Sequence, residues 1–522
     1  AAAGTGGLYS PAVEMSFFNG GNIIAGGIGV DIGHDVFLFE NEGLISGGRY
    51  GVRISGPVYG FVNMGTITAS DSGTPPPPPQ RPYAESISLA APALSSRASG
   101  EGVRLDFVEG GIVNGPDASI AGNRLGLSAY VVGNMFLNYG TISGGYQGIS
   151  VYAMVGDFLN DGLIEQTLAT EDSEGVAVSF VFFDGDEGFH NTVDGEILSQ
   201  GAGVYVYEFL RGDFLNDGLI SSVGDAVSLQ FIGGERAFEN NGDITSTEGV
   251  GVFLTHSTGG GCGMAPLGAV SSPCARDALD PLLPAADLTF LNTGTIYSSV
   301  LGVRIDGLVS LFENRGDITS DGKVGADLYR DVETLINYGT ITGAQTAVRI
   351  NDNLAYMYNA GSITGLTGGE SGTGAGLRVY GDAGTFLINA TDGIISGFTG
   401  VVLGDGDDDL VNAGSLTGTG GVAASLGGGD DTFLSHGIGS ISGAAYDPFI
   451  ASGTQTLDMA IDNFEELWLT GGDITFGHDH TANFMLSLGD SLDMAGFTFT
   501  GDVLSTGNLY ATGGTIDGGV VN

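Results

Sequence analysis

The chain is poor in positive charge. Of its 522 residues only 15 are Lys or Arg, against 61 Asp or Glu, and Lys323 is the single lysine; the formal charge is −46. This balance excludes nucleic acid as a partner and argues against direct insertion of this segment into an anionic membrane, since both need clustered basic side chains. It suits a hydrated surface that resists clumping or one that collects divalent cations. Cysteine is nearly absent, with Cys262 and Cys274 the only two. In an oxidising compartment they read as a local disulfide, and two unpaired thiols are the alternative. No apolar run approaches the ~20 residues that span a bilayer. From Ala1 onward there is neither the basic start nor the apolar stretch of a signal peptide. A processed secreted chain and a cytosolic one share that appearance.

Glycine is abundant, at 94 residues, well above the usual level of about 7%. There is no strict Gly-X-Y triplet, which excludes collagen. Hydrophobic residues make up 42%, too many for a disordered chain. The mixture predicts short strands joined by tight turns, with glycine supplying positive φ.

A repeat gives the strands their order. The phrase Asn-x-Gly-x-Ile/Leu starts at Asn41, Asn63, Asn138, Asn160, Asn216, Asn240, Asn292, Asn314, Asn337, Asn359 and Asn412, with looser versions at Asn19, Asn114, Asn191 and Asn389. About ten residues after each Asn comes a second apolar phrase, such as Gly51-Val52-Arg53-Ile54 or Ala347-Val348-Arg349-Ile350. Its alternation turns Val and Ile to one face and Arg to the other. A third segment leads into the next Asn, as in Gly60-Phe61-Val62-Asn63. Three short strands per unit cannot bury an apolar face alone, whereas stacked units share one core. At ~3.3 Å per residue a 22-residue coil measures about 70 Å around, enough for three sheets and a packed interior. The expected fold is all-β: a right-handed parallel β-helix, a three-sided solenoid of about 22 residues per coil, with loop insertions. The Asn series is expected at turns, where Asn tolerates the left-handed region and stacked amides form a ladder. The Arg series is expected on the solvent face beside carboxylates.

The organisation that follows is an N-terminal cap at 1–18, a β-helix over 19–453 and a capping stretch over 454–522. Insertions fall near 71–99, which holds Pro75 to Pro79, and near 256–287, which holds both cysteines. Such loops are the preferred contact sites for a partner or a neighbouring copy.

Two acidic turns, Leu403 to Leu410 and Leu426 to Phe433, lie one coil apart. Carboxylates ~5 Å apart repel by roughly 1 to 3 kcal/mol per pair. Ca²⁺ held by Asp405, Asp407, Asp408, Asp430 and Asp431 would relieve that crowding; solvated acidic turns are the other reading. Gly404, Gly406, Asp408 and Leu410, and likewise Gly427, Gly429, Asp431 and Phe433, resemble the calcium nonapeptide of repeats-in-toxin proteins.

The Asn-x-Gly-x-Ile coils, these turns and the tail from Asn463 to Gly472 together resemble passenger domains of type V autotransporters. The likeness implies a cleaved or truncated passenger, exported to the cell surface of a Gram-negative bacterium, whose stretch from about Thr454 is the C-terminal folding and capping region. The expected function is non-catalytic: a coat, surface-layer or filament subunit that self-associates, or an adhesin for a host or environmental surface ligand. The alternative is a β-helix enzyme acting on carbohydrates or esters. His34, His256, His436, His478 and His480 come with no nucleophile motif such as G-x-S-x-G and no matching basic constellation. His478 and His480, flanking Asp479, are a weak metal signal.

Overall fold

The computed structural model describes residues 15–70, 100–168, 175–186, 188–232, 236–257, 288–366 and 374–427. Beyond these it describes 432–435, 441–442, 448–452, 455–457, 461–462, 466–470, 473–476, 479–487, 491–506, 508–510 and 512–521. Among the described residues there are strands, turns and bends and no helix. The strands pair in parallel, each with its counterpart one coil on, which makes the fold a parallel β-helix. The chain divides into two compact units, Ala1–Gln200 and Gly201–Asn522.

In the first unit each coil contributes three strand positions. One is occupied in succession by Thr66–Ala69, Ser119–Gly122, Thr141–Gly144 and Leu163–Gln166. Another carries Leu125–Val132, Gln147–Met154 and Val176–Phe183. The third carries Phe136–Asn138, Phe158–Asn160 and Phe189–Asn191. Two long strands, Tyr50–Asn63 and Glu101–Asn114, bend through two of these positions without a break. Alternation does what the sequence pattern demands. Ile45, Ile67, Ile120, Ile142 and Ile164 are fully buried in one inward column, and Phe39 stacks on Phe61 at 4.9 Å in another.

The second unit repeats this plan. Its inward column Phe214, Phe238, Phe290, Phe312 stacks ring on ring at 5.2, 5.1 and 4.6 Å, each pair within 8° of parallel. Stacked rings of this kind add roughly 0.5–1.5 kcal/mol per pair beyond area burial. Ile244, Ile296, Ile318, Ile341, Ile363 and Ile395 form the column on the neighbouring wall, all fully buried.

The asparagines corner each coil from within. In the first unit Nδ2 of Asn19 donates to Oδ1 of Asn41, and the chain of amides continues through Asn63, Asn114, Asn138, Asn160 and Asn191 at 2.7–2.9 Å. In the second unit it runs from Asn216 through Asn240, Asn292, Asn314, Asn337, Asn359 and Asn389 to Asn412 at the same spacing. Nδ2 also donates to the carbonyl two residues on, as Asn41 does to Gly43 at 3.1 Å. Buried amides are thereby satisfied along the column, which is what their removal from water requires.

Two expectations are corrected. The asparagines end strands and do not take the left-handed region: among the described residues only Asp117 and Ala495 are non-glycines with positive φ. Nor do the glycines of the repeat need positive φ. At Gly339 a Cβ would stand 2.0 Å from the carbonyl oxygen of Gly316, and at Gly361 2.1 Å from that of Gly339. The repeat selects glycine because successive backbones approach too closely for any side chain.

The ladder ignores the insertions. Asn63 bonds Asn114 across 51 residues, and Asn240 bonds Asn292 across 52. The segments 71–99 and 258–287, and Cys262 and Cys274 with them, lie outside the described residues. The strand Val250–Ser257 includes His256, so ladder pairing there continues to residue 257.

Candidate functional site

Because the inward positions are filled by apolar columns and amides, the chemistry-bearing side chains stand on the outer faces. The Arg series does so, in register. In the second unit Arg304, Asp327, Arg349 and Arg378 occupy one outward row on successive strands. Arg349 grips Asp327 with a two-pronged fork, 2.8 Å from Nε and 2.5 Å from the terminal nitrogen, and Asn351 adds a bond of 3.1 Å. The side chain of Asp327 is fully covered, so breaking this pair would leave a buried charge without compensation. Arg304 makes the same fork with Asp306, both bonds 2.9 Å, and lies 4.4 Å from the ring centre of Tyr329 and 5.2 Å from that of Phe253. Nearby, burial pushes the Asp225 carboxyl above its ordinary value, against the Val250 N–H and Arg304, which pull it down.

The first unit has its own version. Arg53 forks onto Asp31 at 2.9 and 2.8 Å, and Arg104 is its neighbour in register. Arg104 and Arg124 both approach the buried Glu101, at 3.6 and 3.5 Å. The expectation that the arginines face outward and meet carboxylates therefore holds for Arg53, Arg104, Arg304 and Arg349. The composition did not name their partners, yet a signal was there: Asp31 and Asp327 each precede their arginine by 22 residues, one coil.

A second outward feature of the first unit was not anticipated. Phe107, Tyr130, Tyr152 and Phe182 follow one another along four neighbouring strands, with ring centres 5.7, 4.7 and 5.3 Å apart. Phe107 and Tyr130 are 42% and 44% exposed. Aromatics recurring at coil spacing on the outward parity of the strand were the available clue.

Of the five aspartates expected to hold calcium, Asp430 and Asp431 lie outside the described residues. Asp405 and Asp407 face solvent, whereas Asp408 is buried. Its Oδ1 accepts the backbone N–H of Thr385, one coil back, at 2.7 Å. Burial drives its carboxyl up to about 7, against that hydrogen bond, and Asp407 and Asp409 push in the same direction as burial. The structure therefore separates Asp408 from Asp405 and Asp407. Among the described residues no three His, Cys, Asp or Glu side chains are grouped to hold a metal.

His480 is a core residue, 2% exposed and edge-on to Phe476 at 4.3 Å. Asp479 beside it accepts the Thr498 N–H at 2.7 Å. His436 and His478, and the side chain of His256, lie outside what is described.

A scan against protein-family models and searches of curated proteins and of solved structures return no match to this chain.

Proposed function

We propose that this chain is a non-catalytic extracellular surface protein, a self-associating coat or filament subunit or an adhesin, exported in the manner of an autotransporter passenger. The observation that supports it most is the division of labour across the wall. Interior polar groups serve coil-to-coil bonding through the amide ladder, and the recurring ionic and aromatic side chains are displayed outward at the coil spacing. Display of repeated groups from a stiff scaffold is what adhesion and lattice contacts use, and the excess of carboxylates keeps such a surface hydrated.

Calcium belongs to the same proposal. Asp405 and Asp407, with Asp430 and Asp431 one repeat further along the sequence, are the proposed ligands, and Asp408 braces the turn through Thr385. Calorimetric titration with Ca²⁺ should show heat that is lost on replacing Asp405 and Asp430 by Asn; no heat, with an unchanged melting temperature, would remove calcium from the account.

The experiment for the function is imaging of the purified chain by electron microscopy with and without Ca²⁺, beside adhesion of labelled protein to glycan and cell surfaces. Ordered sheets or fibres support the coat reading, and dispersed particles that adhere support the adhesin. Neither sheets nor adhesion, together with turnover of a glycan or ester abolished by one substitution, would replace the proposal with the enzyme.

A further inference from the structure

We propose that one outer patch of the first unit binds the carboxylates of a uronic-acid polysaccharide, an inference that rests on the surface-protein reading and names a ligand class for it. All the described arginines of this unit, Arg49, Arg53, Arg104 and Arg124, gather here. The backbone places them together: the carbonyl of Arg49 accepts the Glu101 N–H, the Arg124 N–H donates to Gly100, and Arg53 pairs in register with Arg104. Among the described residues three of these arginines, Arg53, Arg104 and Arg124, meet the carboxylates of Asp31, Glu101 and Asp106, and Arg49 is a fourth cation beside them. In the whole chain acids outnumber bases 61 to 15, so the local balance is inverted.

The patch also has spare capacity. Arg53 is held by Asp31, while Arg104 and Arg124 share Glu101. Arg49 makes no ion pair among the described residues; it lies 5.0 Å from the ring centre of Tyr50, whose ring Arg53 also approaches, at 5.7 Å. Arg53 and Arg104 keep about a third of their side-chain surface open, at 35% and 34%. The fork that Arg53 closes on Asp31 shows the chemistry on offer to a further carboxylate.

The aromatic strip decides between a glycan and other anions. It begins at Phe107, three residues beyond Arg104 on the same strand, about 10 Å away, and passes to Tyr130 and Tyr152 on the following coils. Exposed rings beside guanidinium groups suit a pyranose bearing a carboxylate: apolar sugar C–H groups meet the rings, and the acid meets arginine. A uronate segment feels the patch more than the rest of the protein, because charges beyond about 8 Å are screened at physiological salt.

The test is calorimetry of the full chain with oligogalacturonate, dextran sulfate and neutral dextran at physiological ionic strength. Oligogalacturonate should bind and neutral dextran should not. Arg49→Gln should weaken binding about tenfold and leave the melting transition unchanged, because Arg49 supports no ion pair. Arg49→Glu should weaken it further, and Arg315→Gln, an exposed change in the other unit, should leave affinity as it was. No heat with oligogalacturonate, binding of dextran sulfate alone, or wild-type affinity in both Arg49 variants would overturn the proposal. The surface-protein reading stands or falls separately, on imaging and adhesion.

Discussion

Two stretches of the second unit build the same kind of coil to different lengths. From Asn292 to Asn359 successive asparagines are 22 or 23 residues apart, and each passes an amide hydrogen to the next. Further on, Leu467 pairs with Met485 and Met485 with Val503, so each coil takes 18 residues. The strand-end position that holds Asn412 passes in register to Ser435, Ala451, Leu469, Ser487 and Ser505. The amide column ends at Asn412, one full-length coil before the coils shorten beyond Ser435. The comparison teaches that the Asn-x-Gly corner belongs to the long coil. It needs a coil that turns with a side chain inside and with backbones near enough to exclude a Cβ, whereas the short coils close around Met485, Leu492, Phe499 and Val503 with buried serines in place of amides.

The sharpest way to break this contrast is to cut the column. Asn337→Ala removes the acceptor of Asn314 Nδ2 and the donor to Asn359 Oδ1, at 2.9 and 2.8 Å. Two buried groups lose partners, and the expected loss is about 4 kcal/mol, read as a lower denaturant midpoint. Next, Gly339→Ala sets a Cβ 2.0 Å from the Gly316 carbonyl oxygen; the coils must part, costing about 3 kcal/mol. At the smallest end, Ser487→Ala in the short coils should shift stability by less than about 1 kcal/mol. Equal losses at Asn337 and Ser487 would erase the distinction.

Acidity probes the last ladder coil, between the two stretches. The folded value for Asp408 is near 7, above the unfolded value of 3.8, so the folded chain holds this proton more tightly. Its contribution to stability is present below pH 3.8 and is lost as pH rises through about 7. Asp408→Asn should therefore flatten the fall in melting temperature between about pH 4 and 7 that this group causes. An unchanged slope would show that the group is not buried as described.

Much of the fold was legible because coils of constant length repeat their side chains at constant spacing: Asn314, Asn337 and Asn359 announce the stack without any structure. The tail was less legible. Shortening to 18 residues removes the phrase that marks a coil, leaving Phe476, His480 and Phe499 with no visible period, so His480 read as a weak metal signal when it is core. Glycine was read through its conformational freedom, while the structure shows that interstrand closeness selects it, a contact between residues a whole coil apart. The outward site was half visible. Arg53 and Arg349 stood out in their phrases, but Arg49 joins its patch only through Glu101, 52 residues further on, whose N–H bonds its carbonyl.

The most direct test of the amide column is solvent exchange of side-chain amide hydrogens in protein labelled with ¹⁵N at asparagine. Asn314, Asn337 and Asn359, buried and bonded to one another, should keep their Nδ2 hydrogens far longer than the exposed Asn134 and Asn241. If all of these asparagines exchanged at one rate, no dry amide column would join the coils, and the account built on it would be contradicted.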